Sequence, residues 1–384
     1  MQRGRRDTSR PLNWAILGTG AIAHRFAADF IHVTDARLLA VGSRQEERAA
    51  RFGAAFNIPR RYGSYEEAVN DRDVDVVYIA TPASLHRANL ELCLQAKKAV
   101  LCEKPLTVSA REAEDVIALA GRHRTFVMEA MWTRFVPAVV HLRELLTERT
   151  IGEIRCFMAD LGTHVNFDPG SRVFSAELGG GALLQKGVYL LSLASMLFGC
   201  PVGVKALSVP SRSGVDEDTG VLLGYSGGRS ALLWCSVGAR SGRRGMIVGT
   251  QGQILIHEPI LCPSSLTIRR YGPPDRRQVS ATRDANSHVE TRWLGLAKRS
   301  KLIRSLRERW PMLSDRLLYG IRSSTLCLSP VGEGLHYQVS EVNRCVREGK
   351  LESDAMPLGE SLSVMHTVRR IMKEIRRSEE PERS

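Results

Sequence analysis

The sequence predicts an α/β protein with an N-terminal parallel-sheet domain and a C-terminal α+β domain that has a large open, mostly antiparallel sheet. Three observations predict this architecture. A glycine turn at residues 18–23 separates an apolar strand from an apolar helical face. Another apolar strand ends directly before the tripeptide Glu-Lys-Pro at 103–105. From residue 153 onward, strand-like runs alternate mainly with turns.

The glycine turn at 18–23, Gly-Thr-Gly-Ala-Ile-Ala, follows the apolar strand 14–17 and opens a helix predicted over 22–31. The first glycine allows the tight turn, the second lets the backbone approach a pyrophosphate, and the final alanine still permits close helix–strand packing. The helix N-terminus adds free amides and a positive dipole end. A Rossmann dinucleotide site is therefore predicted, with a structural glycine turn as the alternative. Its predicted cofactor-binding residues are Gly18, Gly20, Ala21 and Ile22.

The choice of cofactor is predicted from the end of the second strand, 38–41. About twenty residues after the glycine turn, NAD enzymes place an acid on the ribose hydroxyls, but here the chain reads Gly-Ser-Arg. Ser43 and Arg44 can instead bind a 2′-phosphate, with Arg48 one helical turn further on. The sequence thus favours NADP, with NAD as the second choice and solvated surface arginines as the alternative.

Two further strands are predicted to deliver polar residues to the same carboxyl edge of the sheet. The strand 73–80 leads into the segment 81–86, Thr-Pro-Ala-Ser-Leu-His, and the strand 99–102 leads into Lys104. The predicted cofactor contacts in the first segment are Thr81, Pro82 and His86. For His86, a role as a satisfied helix residue is the favoured alternative; for Lys104, the alternative is a surface lysine before a turn proline.

These motifs resemble the glucose-fructose oxidoreductase, inositol dehydrogenase and MocA family over nearly the whole chain. The resemblance is carried by GTGAIA at 18–23, GSR at 42–44, ATPxxxH at 80–86 and EKP at 103–105. The segments 129–135 and 179–184 look most like the branch that holds dihydrodiol dehydrogenases and NADP-dependent sugar dehydrogenases and reductases. The resemblance implies that the open C-terminal sheet serves oligomerisation, as a homodimer or homotetramer.

The resemblance also implies a catalytic lysine at Lys104 and, through the Gly-Val-Tyr element 187–189, a proton-relaying tyrosine at Tyr189. It extends the cofactor-binding set to Glu103, Lys104, Trp132 and Arg134. The chemistry of the residues agrees, because alcohol oxidation needs a group that exchanges a proton and a cation that favours the anionic oxygen. The ammonium of Lys104 is expected to lower the pKa of Tyr189. A buried helix aromatic with a bonded hydroxyl is the alternative for Tyr189.

One position departs from the family pattern ALLDxGxY. The acid four residues before the tyrosine is replaced by Gln185, which Lys186 follows. A helix predicted over 182–198 places Gln185 and Tyr189 one turn apart on one face. Glutamine can orient a substrate hydroxyl but cannot take its proton, so either Tyr189 carries the proton alone or the activity is weakened or lost.

The predicted substrate-binding residues are Gln185, Arg172, His164 and Trp132. Arg172 and His164 lie in the polar loop before this helix, where they can contact sugar hydroxyls or a phosphate. As loop residues they are equally well explained as solvated side chains. The substrate is therefore expected to be a small, sugar-like molecule.

The predicted organisation is a basic tail over 1–11, a Rossmann domain over 12–133, a substrate and oligomerisation domain over 134–377 and a charged tail over 378–384. Within the second domain, residues 284–325 resemble an insertion that is basic and amphipathic. A cap over the active site or a subunit contact, with Trp310 buried, is expected; an anionic membrane surface or partner is the alternative.

Composition fits a globular enzyme: the chain has 384 residues, 43% of them hydrophobic, and a formal net charge of +13. The eight cysteines show no CxxC or metal-ligand spacing, which favours a cytoplasmic site and no metal. No secretory signal and no transmembrane segment are expected. The positive charge lacks a nucleic-acid motif, so nucleic-acid binding is not expected.

The sequence thus predicts an NADP-dependent oxidoreductase that moves hydride to or from a secondary alcohol or ketone of a sugar, sugar nucleotide or related cyclic polyol. Two alternatives stay open. One is a catalytically silent relative that binds nucleotide as a sensor or scaffold, which Gln185 favours. The other is an enzyme that keeps its nucleotide bound and recycles it between two sugars.

Overall fold

The computed structural model describes residues 10–271 and 322–379. Its first sheet has six strands, all paired in parallel, in the order β3-β2-β1-β4-β5-β6. The strands are β1 (Leu12–Leu17), β2 (Ala36–Gly42), β3 (Arg60–Tyr62), β4 (Val76–Ile79), β5 (Ala99–Cys102) and β6 (Val127–Glu129). The strand order reverses between β1 and β4, which opens a crevice at their carboxyl ends. This confirms the predicted Rossmann sheet.

The helices of the first domain are α1 (Ala21–Asp29), α2 (Glu46–Ala55), α3 (Tyr65–Asn70), α4 (His86–Gln95) and α5 (Ala110–His123). Local sequence explains where α3 and α5 begin. The hydroxyl oxygens of Ser64 and Ser109 accept hydrogen bonds from the amides of Glu67 and Glu112, the first halves of two capping boxes. By contrast, Gly20 precedes α1 and offers no side-chain cap, so the first amides of this helix stay available.

The second sheet has eight strands in the order β14-β13-β12-β11-β7-β10-β9-β8. The strands are β7 (Ile154–Gly162), β8 (Gly203–Pro210), β9 (Asp216–Tyr225), β10 (Arg229–Ser236), β11 (Gly245–Gly249), β12 (Gly252–Ile256), β13 (Ser265–Arg270) and β14 (Arg322–Cys327). Every pair is antiparallel except β7 with β10. The predicted open, mostly antiparallel sheet is confirmed.

Helix α6 (Pro137–Thr147) leads from the first domain into the second. The helix predicted over 182–198 is a π-helical turn, Leu183–Gly187, followed by α7 (Val188–Phe198). The apolar stretch Ala176–Phe198 has the length and hydropathy of a membrane span, yet 72% of its most apolar window is buried inside the protein. Burial of this kind is typical of a core helix.

The last two described helices, α8 (His336–Arg347) and α9 (Leu358–Glu379), return to the first domain. On α8, the side-chain oxygen of Asn343 accepts a hydrogen bond of 3.0 Å from the indole of Trp14 in β1. Helix α9 packs against α5, α7 and β8. The two sheets are therefore joined through the C-terminal segment. Of the predicted insertion, residues 322–325 begin β14, while Trp310 and the rest lie outside the described residues.

Candidate active site

A cleft of about 170 Å³ lies where the carboxyl edge of the first sheet faces the π-helical turn and α7. Residues from both domains line it: Ile22, Arg25, Thr81, Pro82, Ala83, His86, Glu103, Lys104, Trp132, Arg172, Leu178, Gln185, Lys186, Tyr189 and Leu261. Most of the residues predicted for catalysis, substrate binding and the nicotinamide end of the cofactor therefore meet in one place.

The glycine turn forms a cradle with room for a phosphate. Gly18 has φ +99°, and a Cβ there would lie 3.0 Å from the carbonyl oxygen of Ala80, so only glycine fits the turn. At Gly20 an added Cβ would meet nothing within 4 Å. This open space adjoins the uncapped N-terminus of α1, which is the geometry that a dinucleotide pyrophosphate requires. The residues present thus fit the cofactor.

The end of β2 and the start of α2 carry the three residues that the sequence predicts for the far end of the nucleotide. Ser43 is buried, and its hydroxyl oxygen accepts a hydrogen bond of 3.3 Å from the amide of Gln45. Arg44 and Arg48 are exposed, and Arg44 interacts with the hydroxyl of Tyr65. A guanidinium beside an exposed strand end can bind an added phosphate through paired hydrogen bonds.

His86 connects two loops of the cleft. It is buried, with Nδ1 2.8 Å from the carbonyl oxygen of Pro105 and Nε2 3.0 Å from that of Thr81. Burial lowers the pKa of His86 below its ordinary value. The ring therefore holds the Thr81 loop against the Lys104–Pro105 loop, which agrees with the structural alternative for this residue.

Lys104 links the two walls of the cleft. Its Nζ donates a hydrogen bond of 2.8 Å to the backbone carbonyl of Gln185 and lies 4.8 Å from the centroid of the Tyr189 ring. Burial lowers the pKa of Lys104 to about 8, opposed by the carboxylate of Glu103. Glu103 is itself buried and accepts a hydrogen bond of 2.6 Å from the hydroxyl of Tyr78. The pKa of Lys104 thus lies closer to neutral pH than that of an ordinary lysine.

Tyr189 is the second polar group at the centre of the cleft. The indole of Trp132 donates a hydrogen bond of 3.1 Å to its hydroxyl oxygen. Burial raises the pKa of Tyr189 above its ordinary value, and the charge of Glu103 adds to that effect. The expected lowering of this pKa was wrong, because burial of the phenolate raises it. Tyr189 therefore keeps its proton at neutral pH.

Gln185 stands at the position of the usual acid, and its side chain makes a structural hydrogen bond instead of transferring a proton. The side-chain amide of Gln185 donates a hydrogen bond of 2.8 Å to the carbonyl of Gly179. A nearby carboxylate, Asp216, instead holds the start of this turn by accepting a hydrogen bond of 2.6 Å from the amide of Leu183. Burial raises the pKa of Asp216 to about 6. Gly181, with φ +100°, makes room for it, since a Cβ there would lie 2.1 Å from its carboxylate oxygen.

Of the residues predicted outside the glycine turn, the end of β2 and the start of α2, two do not line the cleft. Arg134 is buried, and its guanidinium bonds to Ser192, to the carbonyl of Ala355 and to Glu360. Because these partners belong to α7 and the α9 region, Arg134 holds the segment before α6 against α7 and the C-terminal segment instead of facing a cofactor. His164 is exposed, and its Nδ1 lies 2.7 Å from the carbonyl oxygen of Gly238.

Sequence reasoning missed three charged residues in or beside the cleft. Arg25 lies one turn into α1 after the glycine cradle, so its position in the helix could have indicated it. Lys186 directly follows Gln185 and was noted only as its neighbour. Asp216 lies on β9, and no sequence pattern connects it with the turn at Leu183 that it holds.

A dinucleotide cradle and a lysine in a Rossmann domain, facing a tyrosine from an open-sheet domain, define the class of two-domain Rossmann oxidoreductases. Family models agree: residues 12–131 match the oxidoreductase family with an NAD-binding Rossmann fold, and residues 139–255 match the GFO/IDH/MocA C-terminal domain. The chain belongs to the GFO/IDH/MocA family of oxidoreductases.

Curated relatives include trans-1,2-dihydrobenzene-1,2-diol dehydrogenases. The Danio rerio protein is 33% identical over 91% of this chain and 92% of its own length, and the Homo sapiens protein is 32% identical over 95% and 97%. Among solved structures, aldose-aldose oxidoreductase from Caulobacter crescentus has a TM-score of 0.76 at 23% identity, covering 96% of this chain and 98% of its own. A 3-ketoreductase from Actinomadura kijaniata, in complex with NADP and TDP-benzene, has a TM-score of 0.74 at 22% identity, covering 95% and 98%.

Proposed function

We propose that this oxidoreductase uses NADP to transfer hydride to or from a secondary alcohol or ketone of a sugar, sugar nucleotide or related cyclic polyol. The observation that carries the proposal is the placement of Lys104 Nζ 4.8 Å from the centroid of the Tyr189 ring, in a cleft next to the glycine cradle. A cation and a protonated phenol at one point are what carbonyl reduction needs at the substrate oxygen.

The two residues have separate roles in the proposed reduction. When bound, the reduced nicotinamide supplies hydride to the carbonyl carbon. Tyr189 donates its proton to the carbonyl oxygen, for which its raised pKa keeps it protonated. Lys104 stabilises the developing negative charge on that oxygen. Gln185, whose amide is bonded to Gly179, only shapes the wall. In the oxidation direction the same groups act in reverse.

Trp132 orients the proton donor. Its N–H points at the Tyr189 oxygen and so occupies an acceptor site of that oxygen. Among the described residues no acceptor takes the phenolic O–H, which leaves that proton for the substrate. Trp132 is thus a positioning residue for Tyr189.

The names of the relatives support the substrate class. The curated relatives are dehydrogenases of a cyclic diol, and the solved structures include an aldose-aldose oxidoreductase and a 3-ketoreductase crystallised with NADP. The absence of an acid after β2 and the exposed Arg44 support NADP over NAD.

The proposal is tested on freshly purified protein. Released ligands are identified by absorbance and mass spectrometry, NADPH and NADH are titrated separately, and a panel of sugars, sugar nucleotides and cyclic diols is assayed with both cofactors. We expect tighter binding of NADPH and turnover of at least one cyclic alcohol or ketone. Equal titration curves would contradict the cofactor choice.

The same experiment separates two other candidates. Nucleotide binding without turnover of any panel member supports the silent relative that the missing acid at Gln185 favours. If Gln185→Asp gains activity, the interpretation as a catalytically silent relative is strengthened. Nucleotide that stays bound through purification and cycles between two added sugars supports the nucleotide-retaining enzyme.

The second sheet supports a proposed homodimer or homotetramer. One row of its outer face is apolar across five adjacent strands, at Leu222, Leu232, Met158, Met246 and Leu255. Leu222 and Leu232 are 48% and 45% exposed, a patch that favours burial against another copy. Leu232→Asp is expected to lower the mass measured by light scattering.

All eight cysteines are unpaired, which supports a reducing, cytoplasmic location.

A further inference from the structure

The cleft carries more positive charge than hydride transfer needs. Among the described residues that line it, Arg25, Lys104, Arg172 and Lys186 are cationic and Glu103 is the one carboxylate. Glu103 is buried with its oxygen bonded to Tyr78. The charge excess therefore remains directed at whatever fills the cleft.

Two of these cations are available to a ligand. Arg25 pairs with Glu333, and Lys104 donates to the carbonyl of Gln185. Within the described part of the chain, the side chains of Lys186 and Arg172 make no hydrogen bond and no ion pair. Lys186 is half-buried, and burial together with the charge of Arg172 lowers the pKa of Lys186. A half-buried ammonium without a counter-ion is costly, and an anion beside it removes that cost.

The adjacent position explains why the counter-ion is missing. The side chain at 185 is a neutral amide bonded to Gly179, so it supplies no negative charge to Lys186. The next residue, Lys186, adds a positive charge to the same wall. The wall beside Tyr189 therefore presents positive charge with no carboxylate of its own among the residues that line the cleft, which suits a molecule that is itself negative.

The phosphates of a dinucleotide have their own places in the first domain. The glycine cradle faces the pyrophosphate, and Arg44 stands at the end of β2. Lys186 and Arg172 belong to the second domain, on the π-helical turn that directly precedes Tyr189 and on the loop before it. They therefore adjoin the proton donor and the substrate.

We propose that the substrate carries an anionic group, a carboxylate or a phosphate, which Lys186 and Arg172 bind beside the carbon that reacts at Tyr189. The proposal rests on the proposed oxidoreductase function and narrows its substrate class to sugar acids or sugar phosphates. The anionic group binds through charge-assisted hydrogen bonds and takes no part in the hydride step.

The test compares each acid with a neutral analogue of the same shape. Uronic and aldonic acids are assayed against their methyl esters, and sugar phosphates against their parent sugars, with NADP⁺ and NADPH on the full chain. We expect kcat/KM to favour the anion about 10- to 100-fold, the range for one or two charge-assisted contacts. The acid and phosphate arms show which anion the site takes.

Variants assign the effect to the two side chains. Lys186→Met and Arg172→Gln are each expected to lower kcat/KM for the anion about tenfold or more, and to lower it less for the neutral analogue. Lys373→Met and Arg111→Gln remove exposed charges on α9 and α5 and serve as matched controls. Calorimetric titration of the acid and of inorganic phosphate gives a binding readout without turnover.

The outcomes separate this inference from the proposed function. Equal kcat/KM for anions and their neutral analogues overturns the inference and leaves the oxidoreductase function intact. Weakened NADPH binding in Lys186→Met with an unchanged anion preference also overturns it, since Lys186 then serves the cofactor. Anion binding that depends on Lys186 without any turnover supports the inference and contradicts the function. If neither anion binding nor turnover is observed, both the inference and the proposed function are contradicted.

Discussion

The two walls of the cleft differ in how they recognise what they hold. The first-domain wall presents backbone at the glycine cradle, where Gly20 leaves open space and α1 has no side-chain cap. The second-domain wall presents side chains, with Lys186 and Arg172 beside Tyr189. Backbone recognition depends on a few glycines and is visible in the sequence as a motif, whereas side-chain recognition changes with single substitutions. The first wall thus recognises its ligand through backbone geometry, and the second through the charges of individual side chains.

The largest expected effect comes from the proton donor on the second wall. In Tyr189→Phe, kcat for reduction should fall about 10²- to 10⁴-fold, because a positioned proton donor is lost. Binding of NADPH should stay unchanged, since the cofactor wall is intact. Single-turnover rates and a cofactor titration measure the two effects separately.

The matched control for this variant is Tyr225→Phe, which removes a buried hydroxyl on β9 outside the residues that line the cleft. It should leave kcat within about twofold. Full turnover of Tyr189→Phe on a verified substrate would show that the proton travels by another route.

The second prediction concerns the first wall. Arg44→Ala should reduce the preference for NADPH over NADH by about 1 to 3 kcal/mol, which is about 5- to 150-fold in the ratio of dissociation constants. The reason is the loss of a charge-assisted contact to the 2′-phosphate. Fluorescence titration with both cofactors measures it. Arg51→Ala, an exposed arginine on α2 further from the strand end, is the control; an equal loss there would point to general electrostatics.

The sequence predicted the first wall well. The glycine turn, the strand ends before Ser43 and Thr81 and the Glu-Lys-Pro element all depend on local geometry, which neighbouring residues determine. The six-stranded parallel sheet and the mostly antiparallel second sheet follow from hydrophobic patterns of the same local kind. Cleft residues such as Lys104 and Tyr189 were also found, because their motifs place them at element ends.

What the sequence did not predict depends on contacts between distant segments. Arg134 stands in a recognisable motif, yet its partners Ser192, Ala355 and Glu360 come from α7 and the C-terminal segment. The pKa of Tyr189 depends on burial that only the packed fold creates. The π-helical turn at 183–187 likewise has no periodicity of its own in so short a stretch.

The third prediction uses the opposite effects of burial on the two central groups. Burial lowers the pKa of Lys104 to about 8 and raises that of Tyr189. Reduction needs the ammonium form of Lys104, so kcat/KM should be level below pH 8 and fall about tenfold per unit above it. Tyr189 stays protonated over this pH range, so its titration causes no further change in kcat/KM. A pH profile of kcat/KM measures this fall, and Lys186→Met should retain it. If the fall disappears in that variant, it belongs to the titration of Lys186 instead of Lys104.

The smallest expected effect tests the contact that joins the two walls. Trp132 follows β6 of the first domain, and its indole N–H donates to the hydroxyl oxygen of Tyr189 on α7. Trp132→Phe keeps an aromatic ring and removes that donor, so kcat should fall about 2- to 10-fold, the value of one neutral hydrogen bond. Without the N–H the phenolate loses a stabilising partner, so the pKa of Tyr189 should rise further and the oxidation direction should suffer more than reduction. Comparing kcat in both directions distinguishes positioning from packing, because a loosened core would lower both equally. Trp234→Phe, on β10 in the second domain and outside the residues that line the cleft, is the control.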